Sequence, residues 1–207
     1  MKFIINAKTY SQGTGKNALK LLKELETLKP RPIVCLQAAD LHLAKKTKCE
    51  VWAQHIDPIT PGSHTGWLLP ETLIEYGIKG TLINHSEHRS KSPKKTIARC
   101  KELGLKTMML VPTAADVKRV QRYGADLIGV EPPALIGSKT LSVASRPRLI
   151  KKAVKLSKET PLYIGAGVHS KEDIVVGRTL GAKGVLIASA VVKAKNPKKI
   201  LALLMKD

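Results

Sequence analysis

The chain has 207 residues, 36 Lys plus Arg against 16 Asp plus Glu, and a formal net charge of +20. With 43% hydrophobic and 25% charged residues it has ordinary globular usage, which excludes a disordered chain and leaves room for one domain or two small ones. No apolar run approaches the ~18–20 residues that cross a bilayer, and three widely spaced cysteines (Cys35, Cys49, Cys100), odd in number, point to reduced thiols and a cytoplasmic setting.

Read in chain order, short β-branched apolar runs alternate with amphipathic stretches. The run Phe3–Asn6, too short for the apolar region of a signal peptide, is followed by a helical pattern at Lys16–Leu28. Pro32–Gln37 then precedes a helix at Ala39–Thr47, Val51–Gln54 one at Pro70–Tyr76, and Gly80–Ile83 one at Pro93–Leu103. In the second half, Lys106–Val111 leads to Ala114–Tyr123, Leu127–Val130 to Pro147–Lys158, Pro161–Ile164 to Lys171–Leu180, and Gly184–Ile187 to Pro197–Leu204. The apolar runs show little polar alternation, as parallel strands buried on both faces require. The helical patterns open on Pro or on a Ser, Asp or Asn cap, and several close at glycines, namely Gly77, Gly104, Gly124 and Gly181. Eight strand–helix units in 207 residues leave about 26 residues each and make the chain a single domain, 1–207. Strict alternation predicts a parallel sheet with right-handed crossovers, and eight units predict a closed (β/α)8 TIM barrel, with an open doubly wound sheet as the alternative. One Phe, four Tyr and two Trp leave the core to Ile, Val, Leu and Ala. Helices this short leave apolar barrel surface thinly covered, so self-association into a homo-oligomer is expected.

The charge is the footprint of a nucleic-acid binder. Yet the lysines are spread along helical patterns, as in Lys16, Lys20 and Lys23, with no block of five like charges and no aromatic RNA-binding motif. A solvated basic surface is the better reading, with any nucleic-acid binding adventitious. Gly13-Thr14-Gly15-Lys16-Asn17-Ala18 resembles a glycine-rich nucleotide loop, but it does not follow its strand directly, Cys35 and Leu36 stand where an acid belongs, and Asn17 replaces the Ser/Thr of a phosphate-binding loop. His85 and His88, three apart, could share a metal on one helical face, but no third ligand follows at suitable spacing and Glu87 would point elsewhere on a helix, so no metal is expected.

A barrel carries its chemistry where strands end. Asn6-Ala7-Lys8 follows the first strand, Asn84-His85-Ser86-Glu87-His88-Arg89 the fourth, and Glu131-Pro132-Pro133-Ala134-Leu135-Ile136-Gly137-Ser138 the sixth. Gly165-Ala166-Gly167 follows the seventh and Ala188-Ser189-Ala190 the eighth. Taken singly, Lys8 is a surface lysine, His85 a helix cap and Glu131 a salt-bridge partner. Jointly they fit one chemistry: a base at Glu131, a neutral hydrogen-bond donor at His85, and at Lys8 a charge that stabilises an oxyanion. The small-residue turns at helix N-termini offer backbone N–H groups to a phosphate.

These segments resemble the triosephosphate isomerase family in its short archaeal type, essentially end to end. Asn6-Ala7-Lys8 is similar to the family's lysine motif, Leu82 to Arg89 to its histidine signature, and Val130 to Ser138 to its glutamate and lid loop. Gln54-His55-Ile56-Asp57 and Gly62-Ser63-His64-Thr65-Gly66 resemble the loop that makes subunit contacts in the family, and Gly165-Ala166-Gly167 with Leu186-Ile187-Ala188-Ser189 resemble its phosphate site. The resemblance implies reversible conversion of dihydroxyacetone phosphate and glyceraldehyde 3-phosphate, with no cofactor and no metal. It implies that Glu131 moves a proton between adjacent carbons, that His85, kept neutral at a helix N-terminus, polarises the carbonyl, and that Lys8 offsets the enediolate charge. Asn6, Lys8, Ile136, Gly165, Gly167, Ala188 and Ser189 would bind substrate, and the partners would be a triose phosphate and further copies of the chain, as dimer or tetramer. The lid would enter through Pro132-Pro133, cap the carboxylate with Ile136, and flex at Gly137 and Ser138. Ala134 and Trp67 depart from the family pattern, and the +20 charge is unlike its more acidic members; such a charge steers a phosphate dianion. The rival readings are another phosphosugar-barrel enzyme (an epimerase or synthase) and a basic nucleic-acid-binding barrel without catalysis.

Overall fold

Residues 1–136 and 141–206 are described by a computed structural model. Its eight strands are β1 (Lys2–Asn6), β2 (Ile33–Leu36), β3 (Glu50–Ala53), β4 (Gly80–Ile83), β5 (Lys106–Val111), β6 (Leu127–Val130), β7 (Leu162–Gly165) and β8 (Gly184–Ile187). Each pairs in parallel with the next, and β8 returns to β1 with Ile4 opposite Leu186 and Ile5 opposite Ile187. That closing register makes the sheet a barrel and removes the open doubly wound alternative. Pro32 and Pro161, expected inside strands, sit just before them because a residue without an N–H cannot donate to a central ladder; Pro161 still contributes its carbonyl, which accepts from Ile128 N–H at 3.1 Å.

Two of the seven aromatic residues go inside the barrel. Ile4, Cys35, Trp52, Leu82, Met108, Leu110, Tyr163 and Leu186 fill the barrel interior, with Trp52 and Tyr163 fully buried among them. Two rings fit in so narrow a cylinder because glycines face them: a Cβ on Gly80 would lie 2.6 Å from the Trp52 ring, and one on Gly184 would overlap Tyr163. The expectation of a purely aliphatic core therefore holds for the larger outer shell between strands and helices, which Ile, Val, Leu and Ala dominate, and fails inside the barrel.

Outside run α1 (Gly15–Leu25), α2 (Pro70–Glu75), α3 (Pro93–Glu102), α4 (Ala114–Val120), α5 (Pro147–Ser157), α6 (Lys171–Thr179), α7 (Ser189–Val192) and α8 (Pro197–Met205). Caps set several starts: Thr113 Oγ1 accepts from Asp116 N–H, Ser170 and Asp173 form a reciprocal capping box, and Asn196 Oδ1 accepts from Lys199 N–H. The expected second helix is instead a 3-10 segment, Ala38–Lys46. Buried Asp40 and Leu43, three apart, share one side of a three-residue turn, and Asp40 is tied to Gly15 N–H at 3.0 Å and Gln37 Nε2 at 2.9 Å. The fourth helix likewise tightens into a 3-10 turn at Gln121–Tyr123 before Gly124 (φ 79°) ends it. The one-turn helix α7, absent from the sequence expectation, is too short to show a period. Because all strands are parallel, their C-terminal ends lie on one rim.

Candidate active site

Lys8 enters this rim from β1. Its backbone is left-handed (φ 47°), a costly conformation for a residue with a Cβ. Two amide side chains hold it there: Asn6 Oδ1 accepts the Lys8 N–H at 3.0 Å, and Gln54 Nε2 donates to the Lys8 carbonyl at 3.0 Å. The result is a largely buried lysine whose Nζ reaches Glu87 Oε1 at 2.5 Å.

The segment after β4 is not helical, contrary to expectation. Asn84 is left-handed (φ 64°), His88 N–H donates to the His85 carbonyl at 2.9 Å, and the next helix begins only at Pro93. The turn follows from Asn84, an asparagine able to take positive φ, whose Nδ2 donates to the Leu110 carbonyl at 3.0 Å. His85 therefore owes nothing to a helix N-terminus. It stays neutral because burial drives its pKa down to about 4, with Lys8 and Arg89 adding to the effect and Glu87 opposing it. The Glu87 N–H donates to His85 Nδ1 at 3.2 Å, which leaves the ring proton of the neutral imidazole on Nε2. The His85 and His88 pair forms no metal face: His88 stacks on His55 with ring centroids 4.1 Å apart. No group of three His, Cys, Asp or Glu suited to a metal occurs among the described residues.

Glu131 leaves β6 with its N–H bonded to the Val111 carbonyl at 2.9 Å. Its carboxylate is turned into the rim, where Oε2 lies 3.4 Å from His85 Nε2 and, among the described residues, has no hydrogen-bond partner. Burial raises its pKa to about 7; Glu87 adds to the rise, while Lys8 and Arg89 oppose it. Gly165 makes this placement possible, since a Cβ there would lie 2.5 Å from Glu131 Oε1.

A cavity of about 50 Å³ sits over these three groups, lined by Asn6, Lys8, His85 and Glu131, by Ile136, and by the turns after β7 and β8 including Gly167, Ala188 and Ser189. Every expected substrate-binding position except Gly165 lines it; Gly165 stands behind the carboxylate. Ala166 and Gly167 are both left-handed (φ 71° and 68°), which swings the chain after β7 over the rim. The first N–H groups of α7 have no intrahelical acceptor, as at any helix start. Pro133–Leu135 forms one 3-10 turn behind Glu131 with Leu135 buried, and Ile136 follows it in extended backbone. Gly137 and Ser138, expected as the flexible exit of a lid, lie outside the described residues. A larger open recess of about 650 Å³ adjoins the cavity through Asn6, Lys8 and His85 and is walled by Gln54, His55, Asp57 and Thr65 to Leu68.

Three contributors escaped the sequence reading. Glu87 was visible in the motif, but a helical reading turned it away from Lys8. Gln54 falls in the segment that resembles the family's subunit-contact loop, and its bond to the Lys8 carbonyl spans 46 positions. Tyr10 lines the cavity and carries Lys193 Nζ over its ring at 4.3 Å, a pairing no local pattern announces.

The protein-family profile described as Triosephosphate isomerase matches residues 1–204. The chain is similar to the triosephosphate isomerase of Methanobrevibacter smithii, with 39% identity over 96% of this chain and 94% of that protein. It is similar to that of Methanocaldococcus jannaschii at 38% identity over 100% and 99% of the two chains, and to that of Archaeoglobus fulgidus at 38% over 96% and 94%.

Proposed function

Since this chain belongs to the triosephosphate isomerase family, we propose that its rim interconverts dihydroxyacetone phosphate and glyceraldehyde 3-phosphate. The observation that carries the reading is the approach of Glu131 Oε2 to His85 Nε2, 3.4 Å apart around one buried cavity that Lys8 also lines.

The chemistry follows from the groups present. Glu131, ionised, takes a proton from the carbon beside the substrate carbonyl, and the electron pair moves onto the carbonyl oxygen to give an enediolate. His85 donates a hydrogen bond from Nε2 to that oxygen and passes a proton between the two oxygens, after which Glu131 returns its proton to the neighbouring carbon. The Lys8 ammonium offsets the developing charge, and one such preorganised donor is worth roughly 10²–10³-fold in turnover. Burial serves both ends of this sequence. It makes Glu131 a stronger base than an exposed carboxylate and keeps His85 an unprotonated imidazole near neutral pH. Gly167, Ala188 and Ser189 support binding of the phosphate through backbone N–H groups, with Asn6 positioning Lys8. Ile136, beside the carboxylate, supports a closing segment that keeps water from the enediolate.

The recess of Thr65 to Leu68 beside Lys8, with Trp67 55% exposed and Ile74 42% exposed, supports self-association as a dimer or tetramer. Sedimentation at micromolar concentration tests this; a strictly monomeric profile refutes it. The buried free cysteines support a cytoplasmic enzyme, and no helix among the described residues is long and apolar enough to cross a membrane. A coupled assay with glyceraldehyde 3-phosphate tests the whole reading: turnover in the wild type that Glu131→Gln abolishes supports it, and a wild type without turnover refutes it.

A further inference from the structure

The surplus of positive charge is not spread evenly around the barrel. From Arg146 to Lys158 the chain carries Arg146, Arg148, Lys151, Lys152, Lys155 and Lys158 and no acid. All six are exposed, and none has an acidic partner among the described residues. This stretch is α5 with its two flanking residues, and α5 packs beside α4, which adds exposed Lys118, Arg119 and Arg122. Within the two helices the sole acid is Asp116, already paired with Arg119 at 2.8 Å; exposed Asp126 and Glu159 lie beyond their C-terminal ends. Two other helices differ, α6 setting Glu172 and Asp173 against Lys171 and Arg178 and α2 carrying Glu71 and Glu75 with no base, while α3 has four bases against Glu102 and α8 has only Lys198 and Lys199.

We propose that the α4–α5 face is a binding surface for the phosphate backbone of duplex nucleic acid. Arg148, Lys151 and Lys155 recur every three to four residues along α5, about 5 Å along a helix, with Lys152 next to Lys151, and neighbouring helices lie about 8–10 Å apart, so the face is a two-row ladder of cations. A polyanion with closely spaced phosphates meets several of them at once and releases its condensed counterions, which is the main source of sequence-independent affinity. Other occupants fit less well. A second copy docking through the same face would set cations against cations. An anionic membrane would be met by no apolar anchor, since the exposed large hydrophobic residues (Trp67, Ile74, Leu141, Val175 and Leu203) all lie off these two helices. A single strand would lack stacking platforms, because Tyr123, the one aromatic here, is half-buried against the core. This inference stands apart from the isomerase reading, whose activity serves below only as a check on folding.

The test is fluorescence anisotropy with a labelled duplex of about 20 base pairs, as DNA and as RNA, across 50–200 mM salt. With about five phosphates engaged, the slope of log affinity on log salt is about −4.5, a weakening of roughly 500-fold over that range. The triple variant Lys151→Glu, Lys152→Glu, Lys155→Glu should lose at least tenfold in affinity and bring the slope to about −2. A control with the same change in net charge, Lys16→Glu, Lys20→Glu, Lys23→Glu on α1, should stay within threefold of the wild type. Circular dichroism and triose phosphate turnover confirm that both variants fold. Equal losses in the two variants overturn the proposal, because net charge and not this face would then be responsible. So does the lack of salt-sensitive binding at 50 mM, or tighter retention on phosphatidylserine vesicles than on either duplex.

Discussion

Replacing Glu131 by Gln should separate what this residue does for the fold from what it does for the reaction. Its pKa rises from an ordinary 4.5 to about 7 in the folded chain, chiefly through burial. The folded state thus holds the proton more tightly than the unfolded one. Glu131 therefore contributes nothing unfavourable below pH 4.5, and its ionisation destabilises the fold increasingly as the pH climbs to about 7. At 1.36 kcal/mol per pH unit the full effect is about 3 kcal/mol, reached by pH 8. Gln keeps the shape of the protonated acid and removes that cost, so the variant should be more stable at pH 8 by up to about 3 kcal/mol, a rise in melting temperature of roughly 6–12 °C for a chain of this size. His85 works in the opposite sense. Its pKa falls from 6.5 to about 4, so the stability it contributes is complete above pH 6.5 and is lost as the pH drops towards 4. The two effects offset each other in the wild type between those values, which is why the difference between wild type and variant is the informative quantity. The assay is urea unfolding of both proteins from pH 4.5 to 8.5 at one protomer concentration. Turnover should fall by at least 10²–10⁴-fold in the same variant, as the loss of a general base requires. Equal stability of the two proteins at pH 8 would refute the claim that the fold holds a desolvated carboxylate.

In the free wild-type enzyme kcat/KM should fall on the acid side of about pH 7 as Glu131 becomes protonated, while His85, neutral down to about 4, adds no limb near neutrality; a profile flat from pH 5 to 8 would contradict both assignments. Lys8→Met should lower kcat by roughly 10²–10³-fold, the range for one lost charge-stabilising donor, and steady-state kinetics showing a change in KM alone would reassign Lys8 to binding. Gly165→Ala places a Cβ 2.5 Å from Glu131 Oε1 and should cost at least tenfold in kcat with circular dichroism unchanged; full activity would mean that the carboxylate works from another position.

Much of this protein was legible along the chain. The alternation of buried apolar runs with amphipathic stretches depends only on near neighbours, so eight strand–helix units, four of the strands to the residue (β4, β5, β6 and β8), and the positions of Lys8, His85 and Glu131 at strand ends could be read directly. The glycine and proline signals for helix ends and starts are equally local. What the sequence left undecided were relations between distant segments and between competing local geometries. Closure of the sheet rests on β8 meeting β1. The 3-10 form of Ala38–Lys46 rests on Asp40 reaching Gly15. The resemblance ties the neutrality of His85 to a helix N-terminus, whereas Asn84 opens a turn there and burial of the site supplies the neutrality. Gly165 reads in the sequence as a phosphate turn, yet its role is to leave room for a carboxylate 34 positions away. Short-range hydrogen bonding and hydrophobic period set the elements; burial, and with it every perturbed pKa of the site, exists only once the barrel has closed around it.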